Sequence, residues 1–207
     1  MTPIDREKYM DETEAKALRT VTEARAITDL RYGRMYGVLM WCVIDTAMNT
    51  GLRASELVRI KVGDFDAKRQ SLKVWRHKRT KHKQETMAIS KELANHLKEF
   101  IAWKGDVSQS VAKTAPLFVG KRGPLGTRGA QQMFKAAVEQ AGLPEELSIH
   151  CARHTMAVHL LRKTGNLRMV QKQLGHASPA TTANMYADVS FEDMQDGLNG
   201  LYEGDSA

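Results

Sequence analysis

The residues with the clearest chemical potential are a set of basic side chains that is followed by a tyrosine. In chain order they are Arg53, His150, Arg153, His176 and Tyr186, and Tyr186 is the tenth residue after His176. Two guanidiniums can hold the oxygens of a phosphodiester with paired, planar hydrogen bonds that a lysine does not reproduce. A tyrosine has an ordinary pKa of about 10 and needs a neighbouring base to become a nucleophile at neutral pH. The set therefore suits attack on a phosphodiester through a covalent phosphotyrosine.

The leaving 5′ oxygen of such a reaction needs a general acid, and a basic segment offers candidates. Eight lysines and arginines, with no acidic residue among them, lie between positions 68 and 83. A solvated hairpin is the ordinary role of such a charge run, but a basic block beside apolar strands favours phosphate contacts. A lysine at the tip of such a hairpin can supply the proton.

Each of these residues also has an ordinary role when it is considered alone. Arg53 could be a surface arginine paired with Glu56, Tyr186 could pack in the core, and His176 could end a helix. The combination in this order would then require several coincidences. We therefore interpret the residues as one site.

A metal site is the sharpest competing interpretation. His150 and His154 are four residues apart, so on a helix both would face one side, as in zinc proteases. However, Cys151 stands where such sites place a carboxylate, and Arg153 would put a positive charge beside the cation. We expect no metal and no other cofactor, and we expect His154 to form hydrogen bonds in the core beside Arg153.

Hydrophobic periodicity predicts a mainly α protein with a small three-stranded antiparallel β-sheet. Helices are expected over residues 31–50, 54–59, 91–103, 151–164 and 167–174, with one more that Thr127 caps and one that starts at Pro179. Strands are expected over residues 62–65, 72–75 and 86–89. Gly51, Gly165 and Gly175 follow the ends of helices, and Asn166 is an expected N-cap. The helices and the sheet must bring the distant basic residues together.

Composition agrees with a nucleic-acid partner. The chain of 207 residues has a formal net charge of +7 and a pI near 9.4. Two cysteines, Cys42 and Cys151, indicate a reduced, cytoplasmic protein without a disulfide. The longest apolar run covers residues 36–44, which is too short to span a membrane.

The motifs around Arg53, at residues 150–154, at residues 174–176 and at Tyr186 resemble the catalytic domain of the tyrosine recombinases, the phage integrase family. The resemblance covers about residues 9–186. It implies site-specific cleavage and rejoining of DNA through a 3′-phosphotyrosyl intermediate, without metal or ATP. The implied catalytic residues are Arg53, Lys78, His150, Arg153, His176 and Tyr186, and Glu56 and His154 support them. The resemblance places the lysine in a β-hairpin, where counting from Val74 favours Lys78, whereas counting back from the strand at residues 86–89 leaves Lys81 open. The expected DNA contacts are Arg76, Arg79, Lys81, Lys83, Lys121, Arg122 and Arg128.

The same resemblance implies how the protein assembles. Residues 1–190 would form the catalytic domain, and residues 191–207 an amphipathic tail that docks on a neighbouring protomer. The expected partners are double-stranded DNA, further copies of the chain in a tetramer on paired sites, and an accessory DNA-bending protein, whereas without DNA we expect a monomer. Since no N-terminal DNA-clamping domain precedes residue 9, we expect either an isolated catalytic domain or a relative of the short fimbrial invertases. A type IB topoisomerase and a DNA-binding relative that no longer cuts are the alternatives.

Overall fold

The computed structural model describes residues 9–77 and 82–175. The candidate acids Lys78 and Lys81, the expected DNA contact Arg79, and everything from His176 onward, including Tyr186 and the tail, lie outside the described residues.

The described chain is mainly helical, with one three-stranded sheet and one short hairpin. The helices are α1 (Glu12–Arg31), α2 (Tyr36–Thr50), α3 (Ala54–Leu57), α4 (Lys91–Asp106), α5 (Thr127–Gln140), α6 (Ile149–Thr164) and α7 (Leu167–Leu174). The strands are β1 (Phe65–Asp66), β2 (Ser71–His77), β3 (His82–Ala88), β4 (Val119–Gly120) and β5 (Gly123–Pro124). This architecture confirms the expected fold class. Within the described residues, no helix combines the length and the apolar character that a transmembrane span requires.

Helix α2 is the centre of the core. It is buried on most of its surface, and α1, α4, α5 and α6 all pack against it. The predicted helix over residues 31–50 is too long, because a break separates α2 from α1. Helix α1 is not among the predicted helices, although Asp11 and Glu14 form a capping box at its start, with Glu14 N donating to Asp11 Oδ1 over 2.8 Å.

The three-stranded sheet has the order β1–β2–β3, and both pairings are antiparallel. The first predicted strand is mostly wrong, because Val62–Asp64 is a 3₁₀ turn and only two residues pair with β2. Along β2 the side chains alternate, so that Leu72, Val74 and Arg76 are buried while Lys73 and Trp75 are exposed. The strand therefore turns one arginine inward, two residues before the candidate acid Lys78.

The C-terminal helices follow their predicted limits closely. Gly126, rather than Thr127, precedes α5, and Thr127 is its first residue. The predicted N-cap of α7 is confirmed, because the Asn166 side chain accepts a hydrogen bond from Met169 N over 3.0 Å. Gly165 and Gly175 end α6 and α7 in the left-handed conformation.

Helix α2 also carries two buried acidic groups. Burial raises the pKa of Asp45, although a 2.9 Å contact between its Oδ2 and His96 Nδ1 works against that shift. Burial raises the pKa of Cys42 well above its usual value, so this cysteine stays a protonated thiol at neutral pH. Cys151 is a buried free thiol as well.

Candidate active site

Arg153 joins two distant helix ends. It lies one turn into α6 with only 6% of its surface exposed. Its Nη1 donates to the carbonyl of Gly51 over 2.7 Å, and its Nη2 donates to the carbonyl of Leu174 over 3.0 Å. The last carbonyls of a helix have no partner within the helix, and a cation there is favoured by the helix dipole. Arg153 therefore binds the C-terminal ends of α2 and α7 at once.

Both helix ends turn at a glycine in the left-handed region. Gly51 has φ 62°, and a Cβ placed on it would lie 2.4 Å from Met156 Cε and 3.1 Å from Leu174 Cδ2. Gly175 has φ 65°, and a Cβ on it would lie 2.8 Å from Arg76 Nε. Glycine is therefore needed at these positions for both the turn and the close packing.

Arg53 follows Gly51 by two residues and is held by Glu56. The backbone N of Arg53 donates to Glu56 Oε2 over 3.0 Å, and its Nη1 donates to Glu56 Oε1 over 3.1 Å. The Glu56 side chain is fully buried, whereas the Arg53 side chain is 40% exposed. The expected pairing of the two is thus present, with the arginine reaching towards the surface.

Arg76 differs from its prediction as a DNA contact. Its side chain is only 2% exposed, because Nη1 donates to Glu56 Oε2 over 3.1 Å and Nη2 donates to the Gln173 carbonyl over 2.7 Å. Both Nη atoms of Arg76 are thus engaged inside the protein. The prediction of a DNA contact did not include this inward position, for which the alternation of Leu72, Val74 and Arg76 is the sequence signal. A contact of Arg76 with DNA stays a prediction.

Two of the three histidines of α6, His150 and His154, lie in its first two turns. His150 is the second residue of the helix and is exposed, three residues before Arg153 and therefore on the same side. This end of a helix also favours an anion, since its first N–H groups point outwards. His154 is half-buried and follows Arg153 directly. A role of His150 at a phosphate stays a prediction.

The other predicted DNA contacts that the structure describes are exposed. Lys83 lies on β3, Lys121 and Arg122 form the turn between β4 and β5, and Arg128 is in the first turn of α5. Their contact with DNA stays a prediction.

Several predicted catalytic residues adjoin the described site in sequence. Lys78 follows the end of β2, and His176 follows Gly175 directly. Neither their positions nor that of Tyr186 is described. Within residues 9–77 and 82–175, no group of three or more His, Cys, Asp or Glu side chains is arranged to hold a metal ion.

Comparison with known proteins identifies the family of the chain. The sequence model described as the Phage integrase family matches residues 8–193, which is most of the chain. The chain belongs to the Phage integrase family. Its resemblance to the tyrosine recombinases, which rests on the motifs around the arginines, histidines and tyrosine, is thereby confirmed.

Relatives in the family include tyrosine recombinases from several bacteria. Tyrosine recombinase XerD of Corynebacterium glutamicum is 28% identical over 161 residues, which are 77% of this chain and 51% of the relative. Tyrosine recombinase XerC of Chromohalobacter salexigens is 32% identical over 155 residues, which are 74% of this chain and 49% of the relative. This family member thus spans about half the length of the curated relatives it matches.

Solved structures of recombinases share the fold. The crystal structure of XerA recombinase superposes with a TM-score of 0.73 at 25% identity, over 94% of this chain and 63% of that chain. The XerH site-specific recombinase in its pre-cleavage complex with difH substrate gives a TM-score of 0.72 at 20% identity, over 95% of this chain and 55% of that chain. The described helices and sheet therefore form a tyrosine recombinase catalytic fold.

The packing around Gly51 gives a prediction for this family member. Replacing Gly165 with alanine adds a Cβ in open space at φ 61°, so the loss in the free energy of unfolding should be that of the backbone alone, about 1–2 kcal/mol. The variant Gly51→Ala also forces Met156 aside and should lose about 1–3 kcal/mol more. Urea denaturation of the two variants measures the difference. Equal losses in the free energy of unfolding would mean that Met156 moves aside without any further loss of stability.

Proposed function

We propose that this chain cleaves and rejoins DNA at specific sites through a 3′-phosphotyrosyl intermediate on Tyr186. The observation that carries the proposal is the convergence of two arginines at one helix end. Arg153 binds the carbonyl of Gly51, and Arg53 emerges two residues later with its guanidinium half-exposed. A pair of guanidiniums fixed beside the same turn suits the two non-bridging oxygens of a phosphodiester. Membership of the Phage integrase family supports the same reaction.

The proposed cleavage step exchanges one phosphoester bond for another. The Tyr186 hydroxyl oxygen attacks the phosphorus, the bond from phosphorus to the 5′ oxygen breaks, and the 3′ phosphate stays joined to the tyrosine. His150 takes the phenolic proton, with His176 as a second group that accepts developing charge. Lys78 gives a proton to the departing 5′ oxygen, which is otherwise a poor leaving group.

The arginines act on charge rather than on protons. As the tyrosine attacks, negative charge gathers on the non-bridging oxygens, and Arg53 and Arg153 are held in place to receive it. Losing one preorganised donor of this kind typically slows a reaction by roughly 10²–10³-fold. Rejoining is the reverse reaction with the 5′ hydroxyl of another strand, so the bond energy is kept in the phosphotyrosine and no ATP is required.

We further propose that the full reaction takes place in the cytoplasm, on the nucleoid, in an assembly of several copies on paired DNA sites, with an accessory DNA-bending protein among its partners. Exchange between two sites needs more than one tyrosine, whereas relaxation of supercoils by a topoisomerase needs only one. If plasmid relaxation occurs without exchange between sites, the topoisomerase alternative is favoured.

Tyr186→Phe should abolish covalent attachment to DNA and leave binding almost unchanged. One hydroxyl is a small part of an interface that is made mostly of phosphate contacts. The measurement is incubation with a nicked suicide duplex in excess chelator, followed by denaturing electrophoresis, with Tyr202→Phe as the matched control. A denaturant-resistant band from Tyr186→Phe would contradict the assignment.

The same assay tests the metal interpretation, because it is run in excess chelator. A wild-type reaction that needs added metal would restore the zinc interpretation of His150 and His154.

Lys78→Ala should slow cleavage far more than Lys81→Ala, by roughly 10²–10⁴-fold if Lys78 is the general acid. A substrate whose leaving 5′ oxygen is replaced by sulfur needs no such proton, so it should restore the rate of Lys78→Ala. The two roles are reversed if the sulfur substrate restores Lys81→Ala and leaves Lys78→Ala slow. Each variant should also weaken DNA binding modestly. In a plot of the logarithm of the binding constant against the logarithm of the salt concentration, the slope should become less steep by roughly 0.9 per lost phosphate contact.

Substitutions in the tail should separate binding to one site from assembly. The apolar residues Phe191, Met194, Leu198 and Leu201 recur at helical spacing. We propose that they make an apolar stripe, which docks on a neighbouring protomer. Leu198→Asp should therefore spare binding to a half-site and remove cooperative binding to a full site, whereas Asn199→Asp, off the stripe, should change neither. Gel-shift titration measures both. Equal cooperativity of the two variants would mean that the stripe packs on its own domain.

A further inference from the structure

The carboxylate of Glu56 is shared between two arginines. Its Oε1 accepts from Arg53 Nη1, and its Oε2 accepts from Arg76 Nη1, each over 3.1 Å. The carboxylate is fully buried, so its charge acts through protein rather than through water. One negative charge therefore lies between two positive ones, and the three groups together carry a net charge of +1.

The position of Arg76 in this group is fixed from three directions. Its Nη2 donates to the carbonyl of Gln173, and Gly175 packs against its Nε so closely that a Cβ would lie only 2.8 Å away. Glu85 on β3 lies 3.8 Å from the same Nε. The longer distance and the 26% exposure of the Glu85 side chain make it the weaker partner, because water screens an exposed charge.

We propose that Arg76 is a positioning residue of the strand-transfer site. Its positive charge balances part of the negative charge of Glu56, so that Arg53 keeps a net positive charge for the scissile phosphate. The inference rests on the proposed function. Without Arg76, Glu56 would be a buried carboxylate with Arg53 as its main cationic partner. Arg53 would then fold onto Glu56 with both of its outer nitrogens and lose the exposure that a phosphate contact needs.

The arrangement also links this charge balance to the rest of the site. Arg76 lies two residues before Lys78 in sequence, and its bond to Gln173 reaches the end of α7, three residues before His176. Gln173 Nε2 in turn donates to the carbonyl of Ala88 at the end of β3 over 3.0 Å. The hairpin and the end of α7 are thus held to the carboxylate that orients Arg53.

A double-substitution experiment separates charge sharing from a merely structural role. The variants are Arg76→Met, Glu56→Gln and the two combined, and the readout is the single-turnover rate of covalent complex formation on a suicide duplex at saturating protein. Arg76→Met should be at least about tenfold slower than wild type, since a preorganised donor is misdirected. The double variant should be at least about tenfold faster than Arg76→Met, because the neutral amide that replaces the carboxylate no longer captures Arg53.

Arg76→Lys tests the same point in a variant that keeps the charge. It should cleave within a few fold of wild type although a lysine cannot make both of the bonds of the guanidinium. The matched control is Arg25→Met, because Arg25 shares the buried carboxylate of Asp29 with Arg34, each at 3.2 Å, in a second arginine–carboxylate–arginine group. Arg25→Met should lower the melting temperature without changing the cleavage rate of the folded protein.

Three outcomes would overturn the inference. The first is a double variant no faster than Arg76→Met, and the second is an Arg76→Lys protein as slow as Arg76→Met; either would leave Arg76 a structural residue. The third is a loss of DNA affinity with an unchanged rate at saturation, which would make Arg76 a DNA contact after all. Wild-type protein that forms no covalent complex would instead refute the proposed function itself, so the two failures are distinguishable.

Discussion

The hydrogen bonds of Arg153 to two helix ends are the constraint on which the described site depends. The carbonyls of Gly51 and Leu174 lie at the ends of α2 and α7, which are far apart in sequence and are joined here by one buried guanidinium. A buried carbonyl without a hydrogen-bond partner destabilises the folded state by about 1–3 kcal/mol, and removing Arg153 would take away its hydrogen bond from two such carbonyls. The residue that is expected to bind phosphate is therefore also the residue that closes the fold around it.

Glycine makes this closure possible. Gly51 and Gly175 turn the chain in the left-handed conformation, and both lie against side chains of the site, Met156 in one case and Arg76 in the other. Gly51 lies two residues before Arg53, and Gly175 lies directly before His176 in sequence. Packing and the turn of the chain are thus fixed at the same positions, in two segments that lie more than a hundred residues apart in sequence and are joined by Arg153.

Sequence reasoning finds the chemistry of the site better than its supports. Arg53 and Arg153 stand out because their residue types and spacing match a chemical task, whereas Arg76 is one of eight basic residues in its segment and only the alternation with Leu72 and Val74 marks it as inward. The segment before β1 resembles a strand by its apolar residues, but the backbone of Val62 bonds to the carbonyl of Ala115 instead of to β2. No local pattern reveals a partner so far along the chain. The carbonyls that hold Arg153 are equally invisible, because every residue has one and only the fold decides which are left over.

The two arginines are held in different ways that share one electrostatic consequence. Backbone carbonyls orient Arg153 without cancelling its charge, since they are neutral dipoles. Arg53 is oriented by a full negative charge, which would cancel its own if Glu56 had no second cation. The presence of Arg76 at 3.1 Å from that carboxylate keeps the group positive overall. A site that attracts a phosphate must fix the positions of its arginines without neutralising them. Neutral carbonyls can do this, and so can a carboxylate that two arginines share. A separate carboxylate for each arginine would fix its position but cancel its positive charge.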